Sequence, residues 1–306
     1  MTAIEIRDLK KYYGETKAVD GISLEVGQGE VFGMLGPNGA GKTTTVETAE
    51  GLRDPDSGSV RVLGMDVTKN TQAVKERIGV QLQNTALYPR LSVREVIDLF
   101  QTFFNGKRRP TDELIDIMNL REKQDTYSKD LSGGQRQRLS VALALINHPE
   151  IVFLDEPTTG LDPAARRSMW ETVQQVQGDG ATVFLTTHYM EEAEALCDRV
   201  AVVDVGKIIA LDSPNRLIGE HFSESAVEFE TQMEAPPDGT FMSLAAVTRT
   251  RRDGKRITLY SADTAATLKG LTDLADQGVI KFNDLHVRKA TLEDVFLKLT
   301  GRRIRD

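Results

Sequence analysis

The sequence predicts an α/β fold built on a sheet of buried parallel strands, with a helical insertion and a smaller α+β region behind it. Three observations predict this. Apolar runs of strand length recur from Ile4 to Leu211, with helical patterns between several of them. From Arg90 to about His148 helical patterning takes over and strand patterning vanishes. After Gly219 short strands and helices resume, with Pro236-Pro-Asp-Gly239 as a turn cluster among them.

The elements follow in order. Ile4, Ile6 and Leu9 sit among polar residues in a strand-like pattern, and Ile22-Ser-Leu-Glu-Val26 alternates as a half-buried strand does. Glu30-Val-Phe-Gly-Met-Leu35 is a nearly continuous apolar strand running into glycines. Further strands are expected at Val60–Leu63, Ile78–Gln81, Ile151–Leu154, Thr182–Thr186, Val200–Asp204 and Lys207–Leu211. Helices are expected at Lys42–Glu50, Val93–Phe104, Gln135–Ile146, Ala164–Val176 and Met190–Leu196. In the last region Ala226–Thr231, Arg256–Leu259 and Gly278–Val287 read as strands, and Thr264–Gln277 and Thr291–Leu299 as helices. These patterns set two domains, 1–219 with its helical subdomain at about 90–148, and a small α+β domain at 220–306.

Composition narrows the function. At about 100–200 residues per domain, 306 residues give room for two. Lys and Arg number 38 against 46 Asp and Glu, a net charge of −8, which argues against nucleic acid as a partner. One cysteine, Cys197, makes no internal disulfide and reads as a small packed residue. The longest apolar run, Val141–Ile146, is far short of the ~18 residues of a spanning helix. A soluble, intracellular chain is therefore expected. Any membrane spans must come from another chain.

Gly36-Pro-Asn-Gly-Ala-Gly-Lys-Thr43 fits G-x-x-x-x-G-K-[ST] between an expected strand and an expected helix. Glycines let backbone N–H groups curl around phosphate oxygens, and the following helix points its positive end at the anion. Lys42 is placed to reach the β- and γ-phosphates and the Thr43 hydroxyl to ligate Mg²⁺. Gly36, Pro37, Asn38, Gly39, Ala40, Gly41, Lys42, Thr43 and Thr44 are read as nucleotide-binding. Ile151-Val-Phe-Leu-Asp-Glu156 is an apolar strand whose two acids emerge at its C-terminal end, where ligands bind in open α/β sheets. Asp155 suits Mg²⁺, and Glu156 suits a general base for the attacking water. Leu131-Ser-Gly-Gly-Gln135 opens a helix with a hydroxyl and two glycines, which is either an anion-accepting start or simply a capped helix.

Together these residues resemble the ATP-binding cassette (ABC) ATPases that power membrane transporters. The resemblance covers about residues 4–218 and implies a P-loop NTPase cassette that hydrolyses ATP with Mg²⁺. It implies that Leu131, Ser132, Gly133, Gly134 and Gln135 form the signature motif, which closes the partner subunit's site in trans. It further implies that Gln83 is the Q-loop glutamine touching Mg²⁺ and the attacking water. Gln81 competes for that role, but Gln83 directly precedes the Asn84–Tyr88 segment. Gly160-Leu-Asp-Pro163 resembles the D-loop, with Asp162 its acid, and His188 the switch histidine that contacts the γ-phosphate. Tyr13 resembles the aromatic that stacks on adenine. Tyr12 competes with it, and spacing to Gly14 favours Tyr13.

The ending Ala290-Thr-Leu-Glu-Asp-Val-Phe-Leu-Lys-Leu-Thr-Gly-Arg-Arg303 is similar to that of drug-resistance-type exporter ATPases. Leu292, Val295, Phe296 and Leu299 mark one face of a helix there, packed on its own domain or serving a dimer or regulatory contact. The resemblance thus implies a homodimer with ATP sandwiched between subunits, bound to an integral-membrane permease at the cytoplasmic face of the cell membrane. It implies export of a drug, antibiotic or lipid-like substrate. An importer ATPase, or a soluble cassette acting on ribosome or DNA, remains the alternative.

Overall fold

The computed structural model describes residues 1–82, 87–222, 224–232 and 236–302. The chain divides into two compact units, one of Met1–Pro214 and one beginning at Asn215.

The strands of the first unit are β1 (Thr2–Tyr13), β2 (Thr16–Gly27), β3 (Val31–Leu35), β4 (Ser57–Val62), β5 (Met65–Asp66), β6 (Ile78–Gln81), β7 (Ile151–Asp155), β8 (Thr182–Thr187), β9 (Arg199–Asp204) and β10 (Lys207–Asp212). Its helices are α1 (Lys42–Ala49), α2 (Thr71–Lys75), α3 (Val93–Gln101), α4 (Thr111–Ile117), α5 (Gly133–Ala144), α6 (Pro163–Gly178) and α7 (Met190–Leu196). The expected parallel sheet has the order β10-β9-β3-β8-β7-β6, parallel throughout except for the β9–β10 hairpin. Its central strands β3, β7 and β8 are buried along their whole length, which is why they read as unbroken apolar runs.

The first strands instead form a second, antiparallel sheet, β2-β1-β4-β5. The alternation at Ile22–Val26 is its signature, since Ile22, Leu24 and Val26 are buried and the residues between them exposed. Both sheets share one core, in which Ile4, Ile6, Leu24, Phe32, Phe153 and Phe184 pack together. The Phe184 ring lies 5.3 Å from that of Phe32 and 5.7 Å from that of Phe153. Cys197 is buried and free, and a Cβ on Gly33 would lie 2.5 Å from its sulfur.

Helices α3, α4 and α5 form the expected helical insertion. Both α3 and α5 start at a capping box, Ser92 with Glu95 and Ser132 with Gln135. The cap on Ser132 starts α5 two residues before the expected Gln135. The short helices α2 and α4 were not expected; each has too few residues to show a helical period.

The second unit begins in α8 (Pro214–His221), and the expected boundary at 219/220 falls inside that helix. Gly219 reads as a break but is helical, while Pro214 starts the helix, as its fixed φ favours. Beyond it lie β11 (Ser225–Thr231), α9 (Asp238–Met242), β12 (Val247–Asp253), β13 (Arg256–Ser261), α10 (Thr264–Asp276), β14 (Phe282–Arg288) and α11 (Leu292–Thr300). The sheet order is β12-β13-β11-β14, antiparallel throughout. Val227, Phe229, Phe241, Ile257, Leu259 and Leu271 form its core. The strand expected from Gly278 starts at Phe282, because Gly278 turns with a φ of +71°. In α11, Leu292, Val295 and Phe296 are buried, whereas Leu299 is exposed.

Candidate nucleotide-binding and hydrolysis site

β3 ends at Leu35 and the chain turns through Gly36–Gly41 into α1. Neighbouring backbone dictates the outer glycines. A Cβ on Gly36 would lie 2.2 Å from the Val203 carbonyl oxygen, and one on Gly41 2.2 Å from that of Ala18. Gly39, at a φ of +80°, faces open space. Gly41 caps α1 at a φ of 103°, with no side-chain cap and no acid in the first turn. The positive end of α1 is therefore uncompensated and open to an anion.

Lys42 is 4% exposed. Its Nζ donates to the carbonyls of Gly36 (2.7 Å) and Pro37 (3.2 Å), and lies 3.4 Å from Glu156 Oε1. Burial pulls its ammonium below the usual lysine range, while Glu156 and Asp155 pull the other way. One turn of the loop thus folds the cation back onto oxygens that a phosphate could replace.

β7 delivers the acids. Asp155 accepts from Thr43 Oγ1 at 3.2 Å and from Thr186 Oγ1. Burial raises its carboxyl, and those two hydroxyls oppose the rise. Thr43 and Asp155 together offer hard oxygen donors side by side, the set that suits Mg²⁺. Glu156 turns out of the strand with a left-handed φ of 48°, a strained conformation for a glutamate. Its N–H donates to the carbonyl and hydroxyl of Thr186, and its Oε2 accepts from Thr159 Oγ1 at 3.1 Å. Nδ1 of His188 lies 3.3 Å from the same oxygen. Burial would raise the Glu156 carboxyl, but Lys42 and then His188 outweigh it and hold the group below its ordinary value. An ionised, buried carboxylate therefore stands beside the phosphate loop, as a general base requires.

A cleft of about 660 Å³ opens over the loop, lined by Tyr13, Thr16, Asn38, Gly39, Lys42, Thr43, Thr44 and Glu156, with Val205 at its edge. The structure separates the two tyrosines. Tyr12 donates its hydroxyl to Asp20 at 2.7 Å, while Tyr13 is exposed and lines the cleft. Gln83 lies outside the described residues. Gln81 is buried, with its Nε2 donating to the Leu82 carbonyl at 2.6 Å and lying 3.5 Å from that of Asp155.

No residue of Leu131–Gln135 is among those lining the cleft. Leu131 is buried, and Ser132 and Gly133 are exposed. Ser132 Oγ accepts from Gln135 N–H at 3.3 Å, which leaves its own O–H as a donor. A Cβ on Gly134 would come within 3.1 Å of Ala165 Cβ, whereas Gly133 faces open space. Asp162 caps α6, accepting from the N–H groups of Ala164 and Ala165 at 3.0 and 2.9 Å. Sequence reasoning missed Thr186 and Thr159, which orient the two acids. The trace of Thr186 in the sequence is a hydroxyl pair that follows the apolar run Val183-Phe-Leu185.

A phosphate loop at a strand end, a hydroxyl–carboxylate pair and an ionised glutamate held by lysine and histidine define a nucleoside triphosphatase. Comparison with known proteins assigns it more closely. Residues 19–159 match the ABC transporter family profile. The chain is 41% identical over 313 residues to Nod factor export ATP-binding protein I of Cupriavidus metallidurans, covering 100% of both chains. It is 40% identical to daunorubicin resistance ATP-binding protein DrrA3 of Streptomyces coeruleorubidus, over 100% of this chain and 98% of that one. Among solved structures, cbiO1 of Clostridium perfringens, part of the transporter complex cbiONQ, superposes with a TM-score of 0.64 at 27% identity, covering 72% of this chain and 92% of that one. The dimeric bacterial cassette MJ0796 gives 0.62 at 25% identity, covering 69% and 98%. The chain belongs to the ABC transporter family, as an ATP-binding, ATP-hydrolysing subunit of the exporter type. Among the described residues, no helix is long and apolar enough to cross a membrane.

Proposed function

We propose that two copies of this chain sandwich ATP head to tail and drive a separate integral-membrane permease from its cytoplasmic face. The cargo class is a drug, antibiotic or lipid-like compound, supported by the export and resistance names of the full-length relatives. The observation that carries the reading is the cluster of Lys42, Thr43, Asp155, Glu156 and His188 at neighbouring strand ends.

Lys42 holds the β- and γ-phosphates once they displace the Gly36 and Pro37 carbonyls. Mg²⁺, seated by Thr43 and Asp155 with Gln83 in the same role, would neutralise phosphate charge. Turning Lys42 toward phosphate frees Glu156 to accept the proton of the attacking water, and His188 stays at Oε2 to steady the charge. Tyr13 supplies a stacking face for adenine. Ser132, with its hydroxyl proton unused and its backbone exposed, closes the partner's site, and Asp162 organises the start of α6 beside it. Size-exclusion chromatography with light scattering tests the arrangement. Glu156→Gln is expected to be monomeric without nucleotide and dimeric with Mg²⁺-ATP, and adding Ser132→Arg is expected to abolish the dimer. A dimer that survives Ser132→Arg overturns the shared site.

A further inference from the structure

His188 Nδ1 lies 3.3 Å from Glu156 Oε2, yet no hydrogen bond at Nδ1 holds the ring there. The His188 side chain is 9% exposed, so packing must fix the imidazole instead. That packing comes from the next residue. The Tyr189 ring has its centroid 4.1 Å from that of His188 and is tilted to it by 44°. The Arg166 guanidinium of α6 stands 4.1 Å from the centroid of the same Tyr189 ring, well inside cation–π range. Arg166 Nε is buried with no hydrogen-bond partner, and the guanidinium has the aromatic face in place of an acceptor.

Two features hold this stack in place. Tyr189 N–H donates across His188 to Thr187 Oγ1 at 2.9 Å and pins the turn from β8 into α7. One turn beyond Arg166 on α6, Trp170 Nε1 donates at 3.2 Å to Oε1 of Glu192, which is fully buried and three residues after Tyr189. Arg166–Tyr189 and Trp170–Glu192 are thus successive rungs between one face of α6 and one face of α7. Tyr189 also occupies the N-cap of α7, where a side-chain acceptor is preferred, and makes no cap bond. A tyrosine at that position leaves the helix start uncapped, while its ring covers His188.

We propose that Arg166 and Tyr189 are positioning residues for hydrolysis: Arg166 holds the Tyr189 ring, and that ring holds the His188 imidazole on Glu156. Neither residue lines the nucleotide cleft, so both act through His188. The proposal rests on the reading of Glu156 and His188 as the groups that act on the attacking water, and adds what sets the histidine before ATP arrives. It separates rate from affinity, because the stack orients the hydrolytic pair and leaves the phosphate loop alone.

The test measures phosphate release from Mg²⁺-ATP by the full-length chain, together with the Cε1–H resonance of His188 in protein labelled at its four histidines. His188→Ala assigns that resonance and is expected to lower kcat. Tyr189→Leu is expected to lower kcat about tenfold or more with KM for ATP unchanged, since misplacing a catalytic group by ~1 Å costs up to about 100-fold. It is also expected to shift the His188 resonance, because the ring current of its neighbour is gone. Arg166→Met keeps the length of the stem but not the charge, and is expected to lower kcat about threefold and move the same resonance. Tyr189→Phe keeps the ring and is expected to match the wild type in every measurement. Tyr189→Leu with Arg166→Met is expected to cost no more than Tyr189→Leu alone. A raised KM with unchanged kcat overturns the proposal by placing Tyr189 on the nucleotide. A lower kcat with the His188 resonance unmoved overturns it by making the loss a general one, and so does an Arg166→Met cost that adds in full to that of Tyr189→Leu. Where Tyr189→Leu does not fold, Arg166→Met decides, and wild-type kcat and resonance in it overturn the link. Wild-type turnover in His188→Ala removes the reading of the site on which the proposal stands. A large loss there, with wild-type turnover in Tyr189→Leu and Arg166→Met, removes the proposal alone.

Discussion

Replacing Glu156 by Gln isolates the charge that compensates Lys42. The two groups lie 3.4 Å apart, with side chains 6% and 4% exposed. At an effective dielectric of about 20, unit charges at that distance attract by about 332/(20 × 3.4), or ~5 kcal/mol. Desolvation of both ions offsets part of this, and Gln keeps an acceptor of the same size. The net loss in the nucleotide-free protein is then about 2 kcal/mol, below the ~3–5 kcal/mol of a buried ion left wholly unpaired. At roughly 2–4 °C per kcal/mol for a unit of this size, the first unit melts about 4–8 °C lower. Bound ATP puts phosphate charge on Lys42 and restores the lost partner. Scanning calorimetry with and without ATP should therefore show a nucleotide-induced rise in Tm about 4–8 °C larger in Glu156→Gln than in the wild type. An equal rise in both would refute the reasoning, because Lys42 would then not exchange Glu156 for phosphate.

The glycines separate folding from function. Gly41→Ala meets the Ala18 carbonyl at a φ of 103° and should lose about 3 kcal/mol or fail to fold in thermal melts. Gly133→Ala, helical and facing open space, should melt no lower than the wild type yet, when added to Glu156→Gln, abolish that variant's Mg²⁺-ATP dimer in light scattering. In titrations with a fluorescent ATP analogue, Tyr13→Ala should weaken binding about tenfold, and Tyr12→Phe should affect stability through Asp20 rather than affinity. The pH dependence has a definite sign. Because the Glu156 carboxyl is held below its ordinary 4.5 in the folded protein, its stabilisation is complete above that value and is lost as pH falls through the lower folded one. The stability gap between wild type and Glu156→Gln in denaturant titrations should be full at neutral pH and close below about 4.5.

The phosphate loop, the paired acids and the capped helix of Ser132 were legible because each is a contiguous string whose chemistry is local. The buried parallel strands were legible for the same reason, since a strand covered on both faces is apolar throughout. Pairing was not. Nothing in Ile4–Leu9 or Ile22–Val26 says that these strands leave the main sheet for an antiparallel one, although their alternation carries the trace. β12 escaped notice because Thr248, Arg249, Thr250, Arg251 and Arg252 offer no apolar alternation at an exposed edge. The sequence carried only part of the reason for two glycines. Gly36 and Gly41 are required by the carbonyls of Val203 and Ala18, which reach them from elsewhere in the chain, as well as by any phosphate. Glu50 reads as one more helix-end glutamate, and only β6 and the helical insertion, folded around it, make it a buried acid.

The central claim is that this chain hydrolyses ATP with Lys42 holding the phosphates and Glu156 taking the proton. Phosphate release from Mg²⁺-ATP tests it most directly, measured on the wild type, Lys42→Ala and Glu156→Gln after melting curves show each to be folded. The wild type should turn over, Lys42→Ala should neither bind nor hydrolyse, and Glu156→Gln should bind ATP and release phosphate at least about 100-fold more slowly. Wild-type turnover in either folded variant would contradict the assignment.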